Sequence, residues 1–483
     1  MHTDARHWIY NHPLNRLAAC STSGMKGAEK LTILDELLTE ADKARDEVVE
    51  LLQELVRIPT VNTGVMPTGN ETELCQFLKK KLDAEGIDSE IIEGVPTRGN
   101  LVARLRGAED SAKARLMFMS HTDVVPTGDE SKWLHPPFSG YLDGGRIYGR
   151  GSNDCKSLTA CETMAMILLK RLEVPLKRSL ILAAGSDEET GSKHGFRWLA
   201  AHERKKIAAE FAINEGGGSS FQTPKGACFA VALGEKGRLE AEIDFSGRSC
   251  HASSPWKGDN ALLKLAQAIQ KINNYQPEIS VSAIAFRELP RLFPMKEAEI
   301  TPKNIDNLIS QISEGDSFIS SMLRGLSRMT VTPTMVSGGI KSNVVPDASD
   351  LVCDIRVLPG QDIQYVRNEL EKVLKDVEGC ELEVRGTTSP SASPPDDGFL
   401  QDIRRSLVKV MGTNVDVMQT LTVGFTDSSA VRPLGTVVYN FAPHHPDSDT
   451  SESNVHGINE SIAVEDLVFR TKVLAALAYE MAA

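Results

Sequence analysis

The sequence predicts an α/β fold, in which helices cover both faces of a mainly parallel sheet. Short apolar runs typical of buried strands alternate with amphipathic stretches typical of helices between residues 31 and 234. The same alternation returns after residue 388, where the apolar run Thr436–Phe441 stands between two helical patterns. Because strands that alternate with helices pair in parallel, we expect both parts to share one sheet. The intervening residues have a different pattern.

The change of pattern near Gly234 predicts a ferredoxin-like α+β domain that is inserted into the larger one. Arg238–Phe245 alternates apolar and polar residues, as in a strand with one solvent-facing side. When the irregular, proline-containing stretch Tyr275–Met329 is set aside, the following elements have the order β-α-β-β-α-β. We therefore predict a flexible extension at residues 1–30 and an inserted domain at residues 235–387. The larger domain would consist of two parts, residues 31–234 and 388–483.

The periodicity also places the individual elements. Apolar residues at three- and four-residue spacing predict a helix from Leu31 that stops before Pro59. The other predicted helices are Asn70–Glu85, Leu158–Leu172, Ala261–Ile272, Ile363–Val377, Phe399–Met411 and Val464–Met481. The other predicted strands are Ser89–Ile92, Asn100–Leu105, Arg115–Ser120, Ser179–Ala184, Glu210–Asn214, Val331–Val336, Ser349–Val357 and Glu381–Arg385.

Composition and charge exclude some classes of partner. The 483 residues carry a formal net charge of −13, whereas nucleic acids and anionic membranes select basic faces, so we expect neither as a partner. No run approaches the roughly 20 apolar residues that span a bilayer. The eight cysteines are scattered without a C-x-x-C pair, which indicates reduced thiols in the cytoplasm.

Polar side chains of similar chemistry follow several predicted strands. His121 and Asp123 follow the strand that begins at Arg115, Asp187-Glu188-Glu189 follows the next, and Glu215 follows the third. The strand that begins at Thr436 leads into a loop rich in histidine. Ligands of open parallel sheets bind outside the carboxyl ends of the strands, so we expect these side chains to converge on one site.

The side chains at this predicted site suit a metal. Histidine and carboxylate without thiolate favour zinc, cobalt or manganese over a structural four-thiolate zinc site. The candidate ligands are His121, Asp154, Glu189, Glu215 and one later histidine. This number exceeds what one catalytic zinc needs, whereas two ions about 3.5–4 Å apart that share a bridging carboxylate use five ligands economically.

Six motifs, in order, carry a resemblance to a known family. They read HTDVVP, GRGSNDCK, DEETGS, NEGGG, CHASSP with GDNAL, and HGINE. In this order and around a β-α-β-β-α-β insert, the chain resembles the co-catalytic zinc aminoacylase/carboxypeptidase family, peptidase family M20, which includes acetylornithine deacetylase, succinyl-diaminopimelate desuccinylase and glutamate carboxypeptidase. The stretches Tyr275–Met329 and Pro394–Asp397 look most like the branch of Gly-X carboxypeptidase and N-acyl-amino-acid hydrolases. The resemblance implies a zinc-exopeptidase-like catalytic domain with a ferredoxin-like lid and dimerisation domain.

The resemblance implies roles for the residues of the metal site. One zinc would be held by His121, Asp154 and Glu215, and the other by Asp154, Glu189 and His456. Asp154 would bridge the two ions, and Co²⁺ or Mn²⁺ could substitute for Zn²⁺. His444 and His445 compete with His456 for the last position, which we assign to His456 because it lies in HGINE. Asp123 would accept a hydrogen bond from His121, and Glu188 would be the general base.

The resemblance also implies a substrate side. His251 would stabilise the oxyanion from the partner subunit, which implies a homodimer joined through the inserted domains. Arg356 would bind a substrate carboxylate, a role that its forked donors suit. Further contacts would come from Asn343, Gly424, Thr426 and Asp427. The chain departs from the family at Ser157, where glycine is common, and places Cys155 next to the bridging residue.

Together these features predict a dinuclear zinc hydrolase that cleaves the amide bond of N-acyl amino acids or short peptides with a free carboxylate. A metal-bridging hydroxide would attack the amide carbonyl after a glutamate has taken the proton of the water. The alternative enzyme is a carbamoyl-amide hydrolase that acts on ureido acids. A non-catalytic binding protein is disfavoured because all five ligands and Glu188 are present.

Overall fold

The computed structural model describes residues 32–109, 111–294, 299–313 and 317–483. The extension predicted at residues 1–30 lies outside this part of the chain. The helices are α1 (Ile33–Lys43), α2 (Arg45–Arg57), α3 (Glu71–Ala84), α4 (Lys156–Arg171), α5 (Phe196–His202), α6 (Ala261–Asn274), α7 (Ile284–Leu292), α8 (Ile305–Ser313), α9 (Ser317–Ser327), α10 (Ile363–Leu374), α11 (Asp397–Met411), α12 (Ser428–Val431) and α13 (Val464–Ala482).

The strands belong to two larger sheets and two small ones. They are β1 (Asp88–Glu93), β2 (Gly99–Leu105), β3 (Ala114–His121), β4 (Tyr141–Asp143), β5 (Arg146–Tyr148), β6 (Leu180–Gly185), β7 (Ala209–Asn214), β8 (Ser220–Thr223), β9 (Gly226–Glu235), β10 (Gly237–Ser246), β11 (Cys250–His251), β12 (Thr330–Gly338), β13 (Val344–Val345), β14 (Ala348–Val357), β15 (Cys380–Thr388), β16 (Ser391–Ala392), β17 (Asp416–Thr422), β18 (Val437–Asn440) and β19 (Ser461–Ala463).

The larger sheet has the order β1-β2-β6-β3-β7-β18-β9-β16, with β8 and β17 paired to β9. Its centre, β6-β3-β7-β18, is parallel, which confirms the predicted architecture. Alternate residues of β3 enter two different cores: Leu116 and Phe118 pack with helices such as α4 and α13, whereas Met117 and Met119 pack with α5. Both faces are therefore covered, and this explains why the strand is a continuous apolar run.

The second sheet is antiparallel, with the order β12-β14-β10-β15. Its core includes Ala241 and Ile243 from β10 and Ile355 from β14, which pack against the apolar faces of α6 and α10. The sequence order β10-α6-β12-β14-α10-β15 confirms the predicted ferredoxin-like domain. The domain boundaries at residues 31–234, 235–387 and 388–483 stay a prediction.

The prediction of an irregular stretch at Tyr275–Met329 is wrong. This stretch contains α7, α8 and α9, and their apolar faces form a core with Ala230 of β9 and Met418 of β17 in the larger sheet. Each helix is at most 11 residues long, and α7 contains Pro290. Such short helices depend on tertiary packing, so their sequences alone were a weak signal.

The structure corrects two other expectations. The single helix predicted from Leu31 and ending before Pro59 is divided at Ala44 into α1 and α2. The apolar spacing gave no sign of this break, because both helices bury their apolar faces in the same core. The sequence analysis also did not assign the strands β8, β9 and β17. In β9 the run GACFAVALGE is apolar and buried, so length and β-forming residues could have identified it.

Candidate metal centre

His121 lies at the end of β3 and contacts two carboxylates. Its Nε2 atom is 3.0 Å from Oδ1 of Asp154 and 3.5 Å from Oε1 of Glu215. Asp154 lies in the loop between β5 and α4, and Glu215 directly follows β7. Because β3 and β7 are parallel neighbours, their carboxyl ends meet at one edge of the sheet. The sheet therefore brings two predicted ligands together, and the loop supplies the third.

His456 forms a second group of the same kind. It lies in the loop before β19, and its Nε2 atom is 3.1 Å from Oδ2 of Asp154 and 3.2 Å from Oε1 of Glu189. Each oxygen of Asp154 thus faces a different histidine, and each histidine also faces a carboxylate of its own. The five side chains form two triads that share Asp154.

The donors in this cluster fit two cations. Imidazole nitrogen and carboxylate oxygen suit zinc and its first-row neighbours. Cys155 also places its Sγ atom within 4.8 Å of ligand atoms of His121 and Glu215. However, that sulfur accepts a hydrogen bond from the backbone N–H of His121 at 3.4 Å, and burial raises the pKa of the thiol well above its usual value. Without a bound metal, Cys155 is therefore a neutral thiol that packs against the backbone of His121.

Asp123 is buried and holds several parts of the centre together. The Nδ1 atom of His121 is 3.0 Å from the backbone oxygen of Asp123 and 3.4 Å from its Oδ1 atom. The carboxylate accepts hydrogen bonds from the backbone N–H groups of Glu188 (3.0 Å) and Glu189 (3.2 Å) and from Nδ2 of Asn62 (2.8 Å). It therefore orients the histidine and also the turn that carries both glutamates.

Glu188 is buried at the start of a single 3₁₀ turn, Glu188–Thr190. The turn follows Asp187, which has a left-handed backbone conformation with φ of 66°. Burial raises the pKa of Glu188 well above its usual range, and the charges of Glu215 and Glu189 raise it further. A carboxyl group in such surroundings accepts a proton readily, as a general base must.

Three buried residues near this turn, Asn62, Glu71 and Arg98, were not identified from the sequence, and they form a network with Asp187. Arg98 donates to both carboxylate oxygens of Glu71, at 2.8 and 2.7 Å, and to Oδ1 of Asp187 at 3.0 Å. Asn62 donates to the same oxygen of Asp187 at 3.1 Å. This network supports the backbone just before Glu188. Its members lie in four separate segments and carry no common motif.

Glu460 is a further residue that the sequence analysis missed, although it ends the motif HGINE. It is fully buried, and its Oε1 atom accepts hydrogen bonds from the backbone N–H groups of Asn153 (3.0 Å) and Asp154 (2.9 Å). Its Oε2 atom accepts from Gly151 (3.1 Å) and from Nη1 of Arg150 (2.6 Å). One carboxylate thus fixes the loop that presents Asp154.

The structure separates the three histidines that competed for the last position. Nδ1 of His444 is 3.3 Å from Oδ2 of Asp466. The ring of His445 packs edge-on against Phe469, with 5.3 Å between the ring centroids. Of these three, His456 is the one whose side chain contacts the carboxylates of the cluster.

His251 and Asn343 lie close together, on the inserted domain and not among the five side chains of the cluster. His251 belongs to the two-stranded sheet β11-β13, and the backbone N–H of Ala252 donates to the oxygen of Asn343 at 3.0 Å. The side chain of His251 is exposed, and its Nδ1 atom is 2.8 Å from Oγ of Ser253. Within the described chain, His251 thus bonds a local serine and not a member of the metal cluster.

Arg356 forms an ion pair within its own strand. Its Nε and Nη2 atoms are 2.6 and 3.2 Å from the two carboxylate oxygens of Asp354. Arg238 of the neighbouring β10 also donates to Asp354, at 3.0 Å, and its guanidinium lies 5.9 Å from the ring centroid of Phe425. Arg238 of the four-stranded sheet therefore lies beside the loop that contains Gly424 and Thr426, and it shares Asp354 with Arg356.

That loop, residues 423–427, joins β17 to α12. Gly424 is partly exposed, whereas Thr426 and Asp427 are buried. Oγ1 of Thr426 donates to Oε2 of Glu235 at 2.7 Å. Burial raises the pKa of Asp427 to about 8.

Comparison with known families agrees with this geometry. Residues 117–480 match the profile of the family described as "Peptidase family M20/M25/M40", which is most of the chain. The chain belongs to this family. The predicted family and the predicted class of enzyme, a metal-dependent amidohydrolase, are thereby confirmed.

Three known proteins illustrate the range of the M20 relatives. The human N-fatty-acyl-amino acid synthase/hydrolase PM20D1 is 28% identical over 439 residues, which are 86% of this chain and 84% of the relative. Human carnosine dipeptidase 1 superposes with a TM-score of 0.71 at 17% identity, over 93% of this chain and 99% of that one. A dinuclear metal-binding peptidase of the M20 family from Bacillus subtilis superposes with a TM-score of 0.55 at 14% identity, over 91% and 98% of the two chains.

The described helices of this M20 chain do not meet the requirements for spanning a bilayer. Within the described ranges, none of them is both long enough and apolar enough to cross a membrane. The longest, α13, is buried along most of its 19 residues by the protein itself. The described cysteines, which exclude Cys20, are free thiols.

Proposed function

We propose that this M20 chain is a dinuclear zinc enzyme that hydrolyses the amide bond of N-acyl amino acids or short peptides that carry a free carboxylate. One observation carries the proposal: each carboxylate oxygen of Asp154 faces a different histidine, at 3.0 and 3.1 Å. A carboxylate between two imidazoles, each with its own further carboxylate, is the donor set that two cations need.

The five ligands divide into the two triads seen in the geometry. His121, Asp154 and Glu215 would hold one ion, and Asp154, Glu189 and His456 the other. When bound, two zinc ions lower the pKa of water and polarise a carbonyl oxygen. Asp123 supports both sites, because it contacts His121 and also accepts the backbone N–H of Glu189.

Glu188 would move the proton. It is adjacent to a proposed ligand in sequence, and its backbone N–H is held by Asp123, which fixes the position from which its side chain would act as an acid or base. The raised pKa favours uptake of a proton from water and its later return to the leaving amine. Neighbouring glutamates can thus have different roles: Glu189 binds metal and Glu188 exchanges protons.

We propose that the substrate carboxylate binds Arg356. Two nitrogens of its guanidinium fork already contact the carboxylate of Asp354, and this paired geometry supports the proposal, because forked donors bind carboxylates in this way. A substrate would therefore share or replace this intramolecular partner. Gly424, Thr426 and Asn343 would supply further contacts.

We also propose a homodimer in which His251 acts on the site of the partner subunit. β12 lies at the edge of the four-stranded sheet, and it exposes Met335 and Val336. Ile340 and Trp256 are 90% and 86% exposed. An edge strand with exposed apolar residues suits pairing with a second copy. Such pairing would give the exposed His251 a site to act on.

The experiment that tests the function measures hydrolysis of a panel of substrates. The panel contains acetyl-, succinyl- and long-acyl-amino acids, dipeptides and ureido acids. We expect turnover of at least one N-acyl amino acid or dipeptide, its loss after chelation and its return with Zn²⁺. Hydrolysis of ureido acids alone, with release of ammonia and carbon dioxide, would support the carbamoyl-amide alternative. No turnover of any substrate by zinc-loaded protein would refute the proposal.

A further inference from the structure

The chain passes between the two large sheets at a junction formed by Glu235 and Lys236. Glu235 is the last residue of β9 in the larger sheet, and Gly237 begins β10 in the four-stranded sheet. The chain returns after β15 to form β16, which pairs with β9 through Ser391 and Glu235. A third connection runs from the end of α9, which packs on the larger sheet, into β12.

The side chain of Glu235 joins the return connection to loop 423–427. Its Oε1 atom accepts a hydrogen bond from Oγ of Ser391 at 2.9 Å, and its Oε2 atom accepts one from Oγ1 of Thr426 at 2.7 Å. Nη1 of Arg432 lies 3.2 Å from Oε1. Glu235 is fully buried, so these bonds to a charged acceptor are strong and geometrically demanding.

Lys236 makes the matching contacts to the third connection. Its buried Nζ atom donates to the backbone oxygens of Gly325 at 2.8 Å and Arg328 at 2.7 Å, at the end of α9. Its backbone N–H donates to the oxygen of Thr422 at 3.0 Å, directly before loop 423–427. Glu235 and Lys236 thus contact the return connection at Ser391, the connection from α9 to β12, and the segment that contains loop 423–427.

The hydrogen bonds continue from the loop towards the metal centre. Nδ2 of Asn440 donates to Oγ1 of Thr426 at 3.1 Å, and Oγ of Ser428 donates to Oδ1 of Asn440 at 3.0 Å. Nδ2 of Asn214 donates to Oγ of Ser428, also at 3.0 Å. Asn214 precedes Glu215. A buried, continuous set of bonds therefore connects the junction to the backbone of a proposed ligand.

We propose that Glu235 is a positioning residue, which couples the relative orientation of the two sheets to the placement of loop 423–427 for substrate binding. A rotation of the chain at Lys236 would move the carboxylate away from Ser391, from Thr426 or from both. The loop would then lose its charged anchor. The inference rests on the proposed function, because it takes loop 423–427 as part of the substrate site.

Two variants and a control test this role. Glu235→Gln removes the charge. Ser391→Ala removes the hydroxyl that donates to Oε1 of Glu235 and accepts from Nη1 of Arg432 at 2.6 Å. Arg432 keeps the carboxylate of Glu235 as a partner, so this variant remains informative if Glu235→Gln does not fold. The control Glu210→Gln removes a carboxylate that pairs with Arg115 and Arg178 near the start of β7, at the opposite end of that strand from Glu215.

The measurements are KM, kcat, zinc content and hydrogen exchange of backbone amides without substrate. For Glu235→Gln we expect KM to rise about ten-fold while kcat changes less than about three-fold, because binding contacts are lost and the metal centre is kept. Exchange should accelerate in loop 423–427 and at 325–329. Ser391→Ala should act in the same direction but less, and Glu210→Gln should leave both KM and the exchange of these segments unchanged.

Other outcomes would overturn the coupling. A fall of kcat at constant KM, with faster exchange throughout the protein, would show that Glu235 only stabilises the fold. Unchanged exchange in loop 423–427 in both variants would refute the inference directly. If the unaltered enzyme hydrolyses no substrate of the panel, the proposed function fails, whereas the exchange data still decide whether Glu235 anchors the loop.

Discussion

At the scale of single residues, three buried carboxylates around the metal cluster have distinct tasks. Asp123 anchors the turn of Glu188 and Glu189 through their backbone N–H groups. Glu460 anchors the loop of Asp154 in the same way. Burial and the charges of Glu215 and Glu189 raise the pKa of Glu188 well above its usual range. Two supporting carboxylates therefore hold the segments that carry the proposed ligands Asp154 and Glu189, and one of these segments also carries the proposed base, Glu188.

Glu188→Gln should retain both metal ions and lose turnover. The amide has nearly the same shape but cannot take a proton from water, so kcat should fall by a factor of about 100 to 10,000. Metal analysis and steady-state kinetics check this. The matched change Glu189→Gln should instead release metal. A Glu188→Gln enzyme with near-normal kcat would contradict the assigned role.

Glu460→Gln should weaken metal binding although the residue touches no metal. The carboxylate accepts four hydrogen bonds from the Asp154 loop, and an amide cannot accept all of them. Residues that orient ligands typically affect metal affinity by about 10- to 100-fold. Titration of chelated protein with zinc measures the affinity. The control is Glu452→Gln, an exposed carboxylate of the same loop region; equal affinities of the two variants would argue against this role.

At the scale of elements, α7–α9 illustrate how tertiary packing creates structure from weak local signals. Leu323 of α9 is fully buried, in a core that also contains Ala230 and Met418 of the larger sheet. Lys236 contacts the backbone oxygens of Gly325, in α9, and of Arg328, directly after it. These helices therefore connect the larger sheet to the start of β12.

Leu323→Ala should lower the free energy of unfolding by about 2–5 kcal/mol, because it removes buried methyl groups and leaves a cavity. Denaturant titration of the zinc-loaded protein measures this change. The same substitution at Leu134, whose side chain is 70% exposed, should have little effect. Equal stabilities of the two variants would show that α9 contributes no core.

At the scale of the whole molecule, the metal cluster links folding to pH. Burial raises the pKa of Glu215 from 4.5 to about 7. Hydrogen bonds to Asp154 and Glu189 raise the pKa of His456 from 6.5 to about 10. In both cases the folded protein without metal holds more protons than the unfolded chain. The contribution of each group to stability is therefore lost as pH rises between its two values.

The unfolding midpoint of chelated protein should thus fall as pH rises from about 5 to about 9. Zinc should counteract the loss, because cations replace the protons and bind better at high pH. Thermal unfolding with and without zinc at each pH measures the difference between the two unfolding midpoints, which should widen as pH rises. In chelated His456→Asn protein, the midpoint should depend less on pH in the upper part of this range. Greater stability of chelated wild-type protein at pH 9 than at pH 6 would contradict this linkage.

The proposed dimer makes a prediction about mixed subunits. A His251→Ala chain and a Glu188→Gln chain should each be inactive, but co-expression should restore activity, because one site of each heterodimer contains both residues. Random pairing gives about a quarter of the wild-type activity. Differently tagged chains, purified together, allow the measurement. An inactive heterodimer would place His251 in its own subunit's site or outside the mechanism.

Much of the metal cluster could be predicted because its residues follow strands or lie in distinctive motifs. His121 and Glu215 lie at the carboxyl ends of two neighbouring strands, and because these strands are parallel, both residues lie at one edge of the sheet. Glu460, Arg98 and Asn62 could not be assigned, because buried support for a ligand depends on which backbone groups face it after folding. Glu235 was likewise predicted only as the first residue of the inserted domain, because its partners Ser391 and Thr426 are far from it in sequence.

The sequence by itself determined the class of fold, the family and the types of side chain available for metal binding, since these depend on local periodicity and on short motifs. The tertiary structure decided which histidine completes the second triad, where residues 284–327 pack, and how loop 423–427 is anchored. These depend on contacts between segments hundreds of residues apart, and such contacts form only when the chain closes around a common core.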